Sequence, residues 1–211
     1  MRKIVAIEFI SLDGVIQAPG GPGEDRSNGF QFGGWIVKHN DEKIDSYLGE
    51  TYNGTYDLLL GRKTYDIFNS YWPRMAESKT AHPGEVEMGK KFNKVTKYVA
   101  THNPKDLPWI NSQPLGKDLV ASLIELKKET GPTLLIIGSS NLMQTFLSYD
   151  LVDELRLMIY PVVLGKGKRL FSESAIPAGF KVTSSLIGDS GVIAANYERN
   201  GPVEVGSFDL P

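Results

Sequence analysis

Residues 57–68, DLLLGRKTYDIF, carry the reading that decides the fold. Three leucines run straight into Gly61-Arg62-Lys63-Thr64, and the chain then turns amphipathic. The spacing predicts a strand over Tyr56–Leu60 and a short helix from about Thr64. Two adjacent cations at such a junction are compatible with a solvated turn. They are also compatible with an anion site, because the first-turn N–H groups and the dipole of a helix attract phosphate. Arg62 offers a bidentate contact, Lys63 a compact charge and Thr64 a hydroxyl donor.

The same pattern recurs. Thr133–Gly138, TLLIIG, is apolar on both parities and is expected to be covered on both faces, as in a parallel sheet. Ser139-Ser140-Asn141 then launches a helix over Leu142–Leu147. A third strand, Lys97–Thr101, is stopped by His102-Asn103-Pro104. In an open parallel sheet, ligands bind where the loops after the strand carboxyl ends converge. Gly61–Thr64, Thr101-His102 and Gly138–Asn141 together therefore suit an elongated, multiply phosphorylated ligand. Neither the P-loop nor the GxGxxG pattern is present.

Around these junctions, Lys3–Ile10 reads as a buried strand, and a Gly-rich segment from Ala18 to Trp35 has the length of either a disordered loop or a functional lid. A helix is expected from Asn40, as its cap, to Tyr52, with Ile44, Tyr47, Leu48 and Tyr52 on one face. A polar segment holding Pro73 and His82-Pro83 precedes a helical piece near Val86–Phe92. Leu115, Leu119, Leu123 and Leu126 mark another helix, ending near Gly131-Pro132. Leu155–Val163, Phe180–Leu186 and Val192–Tyr197 are strand-like without long helices between them, which implies antiparallel pairing. The expectation is a single α/β domain over residues 1–211, a three-layer sandwich whose mixed, mostly parallel sheet ends in antiparallel strands.

Composition narrows the function. The 211 residues are 41% hydrophobic and 23% charged, within the range of ordinary globular proteins. No cysteine is present, which removes disulfides, thiolate metal sites and a cysteine nucleophile and suits the cytoplasm. A formal charge of -2 argues against a broad nucleic-acid surface. The apolar run of the first residues is short and broken by Glu8, so no signal peptide is read, and no membrane span is long enough. The sequon Asn53-Gly54-Thr55 is discounted accordingly.

Leu60-Gly61-Arg62-Lys63-Thr64-Tyr65 resembles the strand–turn–helix signature of the dihydrofolate reductase superfamily. Ser11-Leu12-Asp13-Gly14-Val15-Ile16, Leu151-Val152-Asp153-Glu154-Leu155, Tyr160 to Gly167 and Leu170-Phe171 are similar to one branch. That branch is the reductase (C-terminal) domain of the riboflavin-pathway deaminase-reductase and its stand-alone relatives. The resemblance implies NADPH as hydride donor and a small-molecule substrate. It implies that Gly61, Arg62, Lys63 and Thr64 hold the 2′-phosphate and pyrophosphate side. Thr101 and His102 would line the adenosine end, and Gly138, Ser139, Ser140, Asn141 and Leu142 the pyrophosphate. Ile16 and Ala18 would border the nicotinamide under the Gly-rich lid, and a homodimer is expected. The family often has Gly-Gly where this chain has Gly138-Ser139.

A reduction also needs a proton, and the cofactor supplies only the hydride. Two acids are candidates. Asp41 lies near the start of the first helix, where dihydrofolate reductases keep theirs, and Asp13 belongs to the Ser-Leu-Asp-Gly motif. Each has a plainer explanation, a helix N-terminal charge and an Asp-Gly turn. Asp45 lies one turn beyond Asp41. Trp35 resembles the substrate-side tryptophan of those enzymes, but their Leu-Pro context before the acid is missing. No zinc deaminase signature is present. Lys166, Lys168 and Arg169 are either a second cationic site or a solvated turn. The leading expectation is an NADPH-dependent reductase of an aminouracil ribosyl phosphate or a related pterin or pyrimidine. A true dihydrofolate reductase and a non-catalytic nucleotide- or flavin-binding protein are the alternatives.

Overall fold

The computed structural model describes residues 1–39 and 41–208. Its elements are β1 (Ile4–Ser11), α1 (Glu42–Asn53), β2 (Tyr56–Gly61), α2 (Arg62–Ala76), α3 (Pro83–Lys94), β3 (Lys97–Ala100) and β4 (Ser112–Pro114). They continue with α4 (Leu119–Lys128), β5 (Thr133–Ile137), α5 (Ser140–Ser148), β6 (Glu154–Tyr160), β7 (Phe180–Ile187) and β8 (Ile193–Arg199). The eight strands form one sheet in the order β4-β3-β2-β5-β1-β6-β8-β7. Strands β1 to β6 pair in parallel, whereas β8 runs antiparallel to both β6 and β7. The expected fold class is the one observed.

Strand parity explains the three layers. Val5 and Ile7 of β1 share one core with Ile44 of α1, Tyr65 of α2 and Phe92 of α3. Ile4, Ala6 and Ile10 share the other with Leu123 and Leu126 of α4 and Met143 and Phe146 of α5. Because successive strand residues point to opposite faces, a strand covered on both sides must be apolar at both parities. That is why LLL and TLLII have no polar alternation.

Three sequence expectations are corrected. Helix α2 begins at Arg62 rather than Thr64 and runs for 15 residues through Pro73, which the sequence assigned to a polar segment. A helix-interior proline costs about 3 kcal/mol or more. Packing of the same turn offsets it: Phe68 stacks on Phe92 at 5.8 Å and Trp72 meets that ring at 5.1 Å. Gly89 of α3 makes this approach possible, since a Cβ there would lie 2.7 Å from Trp72 O and Ala76 N. Helix α1 is capped by Asp41, which accepts from Lys43 N and Ile44 N; Asn40, the expected cap, lies outside the described residues. Strand β4, three residues at the sheet edge, was not expected at all.

The Gly-rich segment folds back over the strand ends as a strap. Trp35 Nε1 donates to Gln17 O at 2.9 Å and Gly34 N to Ala18 O at 2.9 Å. Gln17 Nε2 donates to Asp25 O and Ser27 O, both at 3.1 Å.

Candidate functional site

The carboxyl ends of β1, β2, β3 and β5 open on one cleft of about 820 Å3. Its floor comes from the loops that follow them: Ile16 to Gly20, Gly61 to Thr64, His102, and Gly138 to Leu142. Phe9, Ile36, Tyr52, Phe68 and Trp72 add an apolar, aromatic wall on the α1–α2 side.

Helix capping separates the helices that meet this cleft end-on from the rest. Asp41 caps α1, His82 caps α3 in a reciprocal box with Glu85, and Asp118 caps α4. Helices α2 and α5 start at Gly61 and Ser139 with no side-chain cap bond. The first-turn N–H groups of a helix have no partner within it. Arg62, Lys63 and Thr64 of α2 and Ser140, Asn141 and Leu142 of α5, the first turns of these two helices, line the cleft wall. Two positive helix ends therefore converge where an anion would sit.

The two junctions are fitted to each other. Gly61 has an ordinary extended backbone (φ -72°), so it is not glycine for its dihedral angles. A Cβ there would collide with Ser139 Oγ. Ser139 is held left-handed at φ 82°, and Gly138 before it at φ 68° with open space around its missing side chain. The serine hydroxyl thus turns toward Gly61, while Gly138 leaves backbone exposed to the cleft.

The cations are already partnered. Arg62 Nε donates to Asp66 at 2.9 Å, and its other nitrogens donate to Asp106 O at 2.9 Å and Asp106 Oδ2 at 2.8 Å. Lys63 and Lys168 both reach the Asp25 carboxylate of the strap, at 2.6 and 2.8 Å. Burial would raise the Asp25 pKa; the hydrogen bonds from Lys168, Lys63 and Ser27 outweigh it and hold the carboxylate far below its usual range.

Residues 2–194 match the sequence profile of the RibD C-terminal domain family. The chain belongs to that family. It is 29% identical over 202 residues to Uncharacterized protein YyaP of Bacillus subtilis, covering 95% of this chain and 96% of that one. With Uncharacterized protein YwjB of the same organism it shares 26% over 172 residues, 82% and 84% of the two chains. Among solved structures, it resembles a putative riboflavin biosynthesis protein from Shewanella sp. PV-4 with TM-score 0.65 at 20% identity, over 94% of this chain and 99% of the other. A pyrimidine reductase-like protein from Corynebacterium diphtheriae gives 0.60 at 14%, over 94% and 92%. Enterococcus faecalis dihydrofolate reductase, complexed with NADP(H), gives 0.54 at 14%, over 94% and 96%. At these identities the likeness is one of fold.

Within this RibD C-terminal domain the structure brings most of the expected residues together. Ile16, Ala18, Gly61, Arg62, Lys63, Thr64, His102 and Gly138 to Leu142 all line the cleft. Thr101 does not: its hydroxyl accepts from Asn103 N at 3.0 Å and closes the turn after β3. Trp35 is buried away from the cleft, pinned to Gln17 and edge-on to Tyr160 at 5.4 Å, so it anchors the strap rather than facing a substrate.

Both expected acids are occupied elsewhere. Asp13 accepts from Ser11 Oγ at 2.6 Å, Leu164 N at 3.1 Å and Gly165 N at 2.8 Å, tying the β1 turn to the 164–165 turn. Against burial, these bonds lower its pKa. Asp41 accepts from Ser190 N at 2.7 Å besides capping α1, and the Ser190 bond leads the causes that lower its pKa. Neither lines the cleft. Asp45 lies on a separate cavity of about 990 Å3 between α1 and α3.

One residue the sequence reading passed over does line the cleft. Glu8, in the middle of β1, is 2% exposed, and its Oε1 has no hydrogen-bond partner among the described residues. Its only sequence signal was a charge inside IVAIEFI. Burial pushes its pKa up to about 8.

Proposed function

We propose that this RibD C-terminal domain is an NADPH-dependent reductase of a small heterocycle, of the kind reduced in riboflavin synthesis or a related pterin or pyrimidine. The convergence of two helix starts without side-chain caps on one cleft carries the reading. A dinucleotide diphosphate fits that cradle, and Gly138 gives it open backbone. Bound there, the cofactor would supply hydride. The chain's own part is to hold the diphosphate at Gly61–Thr64 and Gly138–Leu142, to seat the flat ring of the acceptor against the aromatic wall, and to keep water out under the strap. The family and the neighbours' descriptions as riboflavin biosynthesis and pyrimidine reductase-like proteins support the reaction class. Dihydrofolate is the weaker substrate, because the acids at the start of α1 stand outside the cleft.

Trp72 lines the cleft, so its fluorescence reports occupancy. NADPH is expected to quench it at lower concentration than NADH. Arg62→Ala should weaken NADPH by about tenfold, the loss of roughly one charge-assisted hydrogen bond, and NADH far less. Equal affinities for the two cofactors would remove the 2′-phosphate role. Absence of binding by either would remove the reductase reading, and NADPH binding without oxidation on any pterin or aminouracil phosphate would favour a non-catalytic binding protein.

A further inference from the structure

Adding hydride to the carbon of a C=N or C=O bond leaves the heteroatom needing a proton. In a cleft closed to water that proton must come from the wall. We infer that Glu8 is the acid that donates it, an inference that rests on the reductase reading above.

Elimination among the cleft's own groups supports this. Asp25 is bound to Lys63 and Lys168, and Asp66 to Arg62. Glu24 accepts from Gly20 N at 2.7 Å and Gly21 N at 3.2 Å, holding the strap's first turn. Burial raises the Tyr52 pKa well beyond that of a useful acid. His102 follows β3, which β2 and β5 separate from β1 in the sheet. Glu8 alone among the cleft carboxyls has no bond to hold it. Other buried polar atoms lack partners too, Tyr56 Oη and Asn196 Oδ1 among them, but of all of these only the Glu8 oxygen belongs to the cleft wall. A buried, unsatisfied carboxyl costs free energy, and its position in the cleft gives that cost a use.

The backbone explains how Glu8 comes to be there. The β1–β5 ladder ends at Ile7–Ile137, and Gly138 N donates to Ile7 O as β5 turns away. Glu8 is the next residue along β1, paired on its other side with Leu157 of β6. It follows Ala6 on the face that packs on α4 and α5, where Ile16 and Leu142 are buried beside the cleft. The titratable and charged groups presented around this cleft are Arg62, Lys63 and Asp66 from α2, Tyr52 from α1, His102 after β3, Glu24 and Asp25 from the strap, and Lys168. None of the charged ones contributes to the Glu8 shift, which comes from burial alone. Near neutral pH the side chain is consequently a carboxylic acid with a proton to give. In the step, hydride forms the new C–H bond, the Glu8 O–H bond breaks, and the proton joins the substrate heteroatom. The Glu8 carboxylate then regains a proton from solvent as the strap opens.

Glu8→Gln keeps size and hydrogen-bonding capacity but carries no dissociable proton, and Glu8→Asp keeps the proton on a shorter arm. Difference infrared spectra of wild type against Glu8→Gln, without substrate, should show a protonated carboxyl band that disappears as pH rises through about 8. Glu8→Gln should bind NADPH like wild type yet lose turnover on the order of a hundredfold or more, with Glu8→Asp in between. A carboxyl already ionised at pH 6, or unchanged turnover in Glu8→Gln, would overturn the Glu8 assignment and leave the reductase reading standing. Failure of wild type to bind or oxidise NADPH would bring down the reductase reading and this inference with it.

Discussion

At residue scale, the most confined cation is Lys97, at the start of β3. It is fully buried, and its Nζ donates to Phe92 O at 2.6 Å and Val95 O at 2.7 Å, beneath the Trp109 ring at 4.5 Å. The last carbonyls of a helix lack partners, and Lys97 supplies them for α3. Burial lowers its pKa to about 8. A base depressed from 10.5 contributes stability that is present above pH 10.5 and lost as pH falls through about 8. Lys97→Met should remove that pH dependence from denaturation midpoints measured between pH 7 and 11. It should also destabilise by about 1–3 kcal/mol, because the carbonyls lose their donor. An unchanged slope across that window would refute the assignment. Lys97 was legible only as the first residue of a strand, since its partners lie on the preceding helix and loop. Glu8 was hidden for a similar reason: a charge in an apolar strand looks like an interruption until the neighbouring strand is seen to stop beside it.

At the scale of elements, the two helix starts on the cleft depend on one another. Gly61→Ala would press a methyl group into the Ser139 side chain, whereas Ser139→Gly would remove that obstacle and relieve a left-handed serine worth about 1–2 kcal/mol of strain. Gly61→Ala alone should therefore destabilise, Ser139→Gly alone should stabilise by about 1 kcal/mol, and the double variant should recover most of the Gly61→Ala loss. Additive effects in chemical denaturation would show that the junctions do not touch. The starts themselves were readable from sequence, because an apolar strand, a glycine and a helix-forming run are local signals. What was not readable is that Ser139 dictates Gly61, a pairing across 78 positions. Pro73 shows the converse, a strong local signal overruled by the ring cluster of Phe68, Trp72 and Phe92.

For the whole molecule, a parallel sheet covered on both faces was implied by apolarity at both parities, and the antiparallel end by the absence of helices after Asp150; the strand order was not. The cofactor side of the cleft follows from that topology, since parallel strands deliver their carboxyl ends to one edge. The opposite wall and the strap's anchors do not follow from it, because Trp35–Gln17 and Asp25–Lys168 are fixed by tertiary packing alone. The Asp25 bridge has a kinetic meaning. One carboxylate of the strap grips Lys63 from α2 and Lys168 from the far rim, and the lysines are 58% and 25% exposed at their side chains. Partly exposed ion pairs weaken with ionic strength, and buried hydrophobic anchors do not. Salt therefore acts on how long a guest stays. NADPH release followed by stopped flow should quicken between 20 and 500 mM salt (roughly a fivefold drop in Debye length) in wild type, and should be faster and less salt-dependent in Asp25→Asn. Equal release rates in both proteins would mean that the strap is fastened by something other than this bridge.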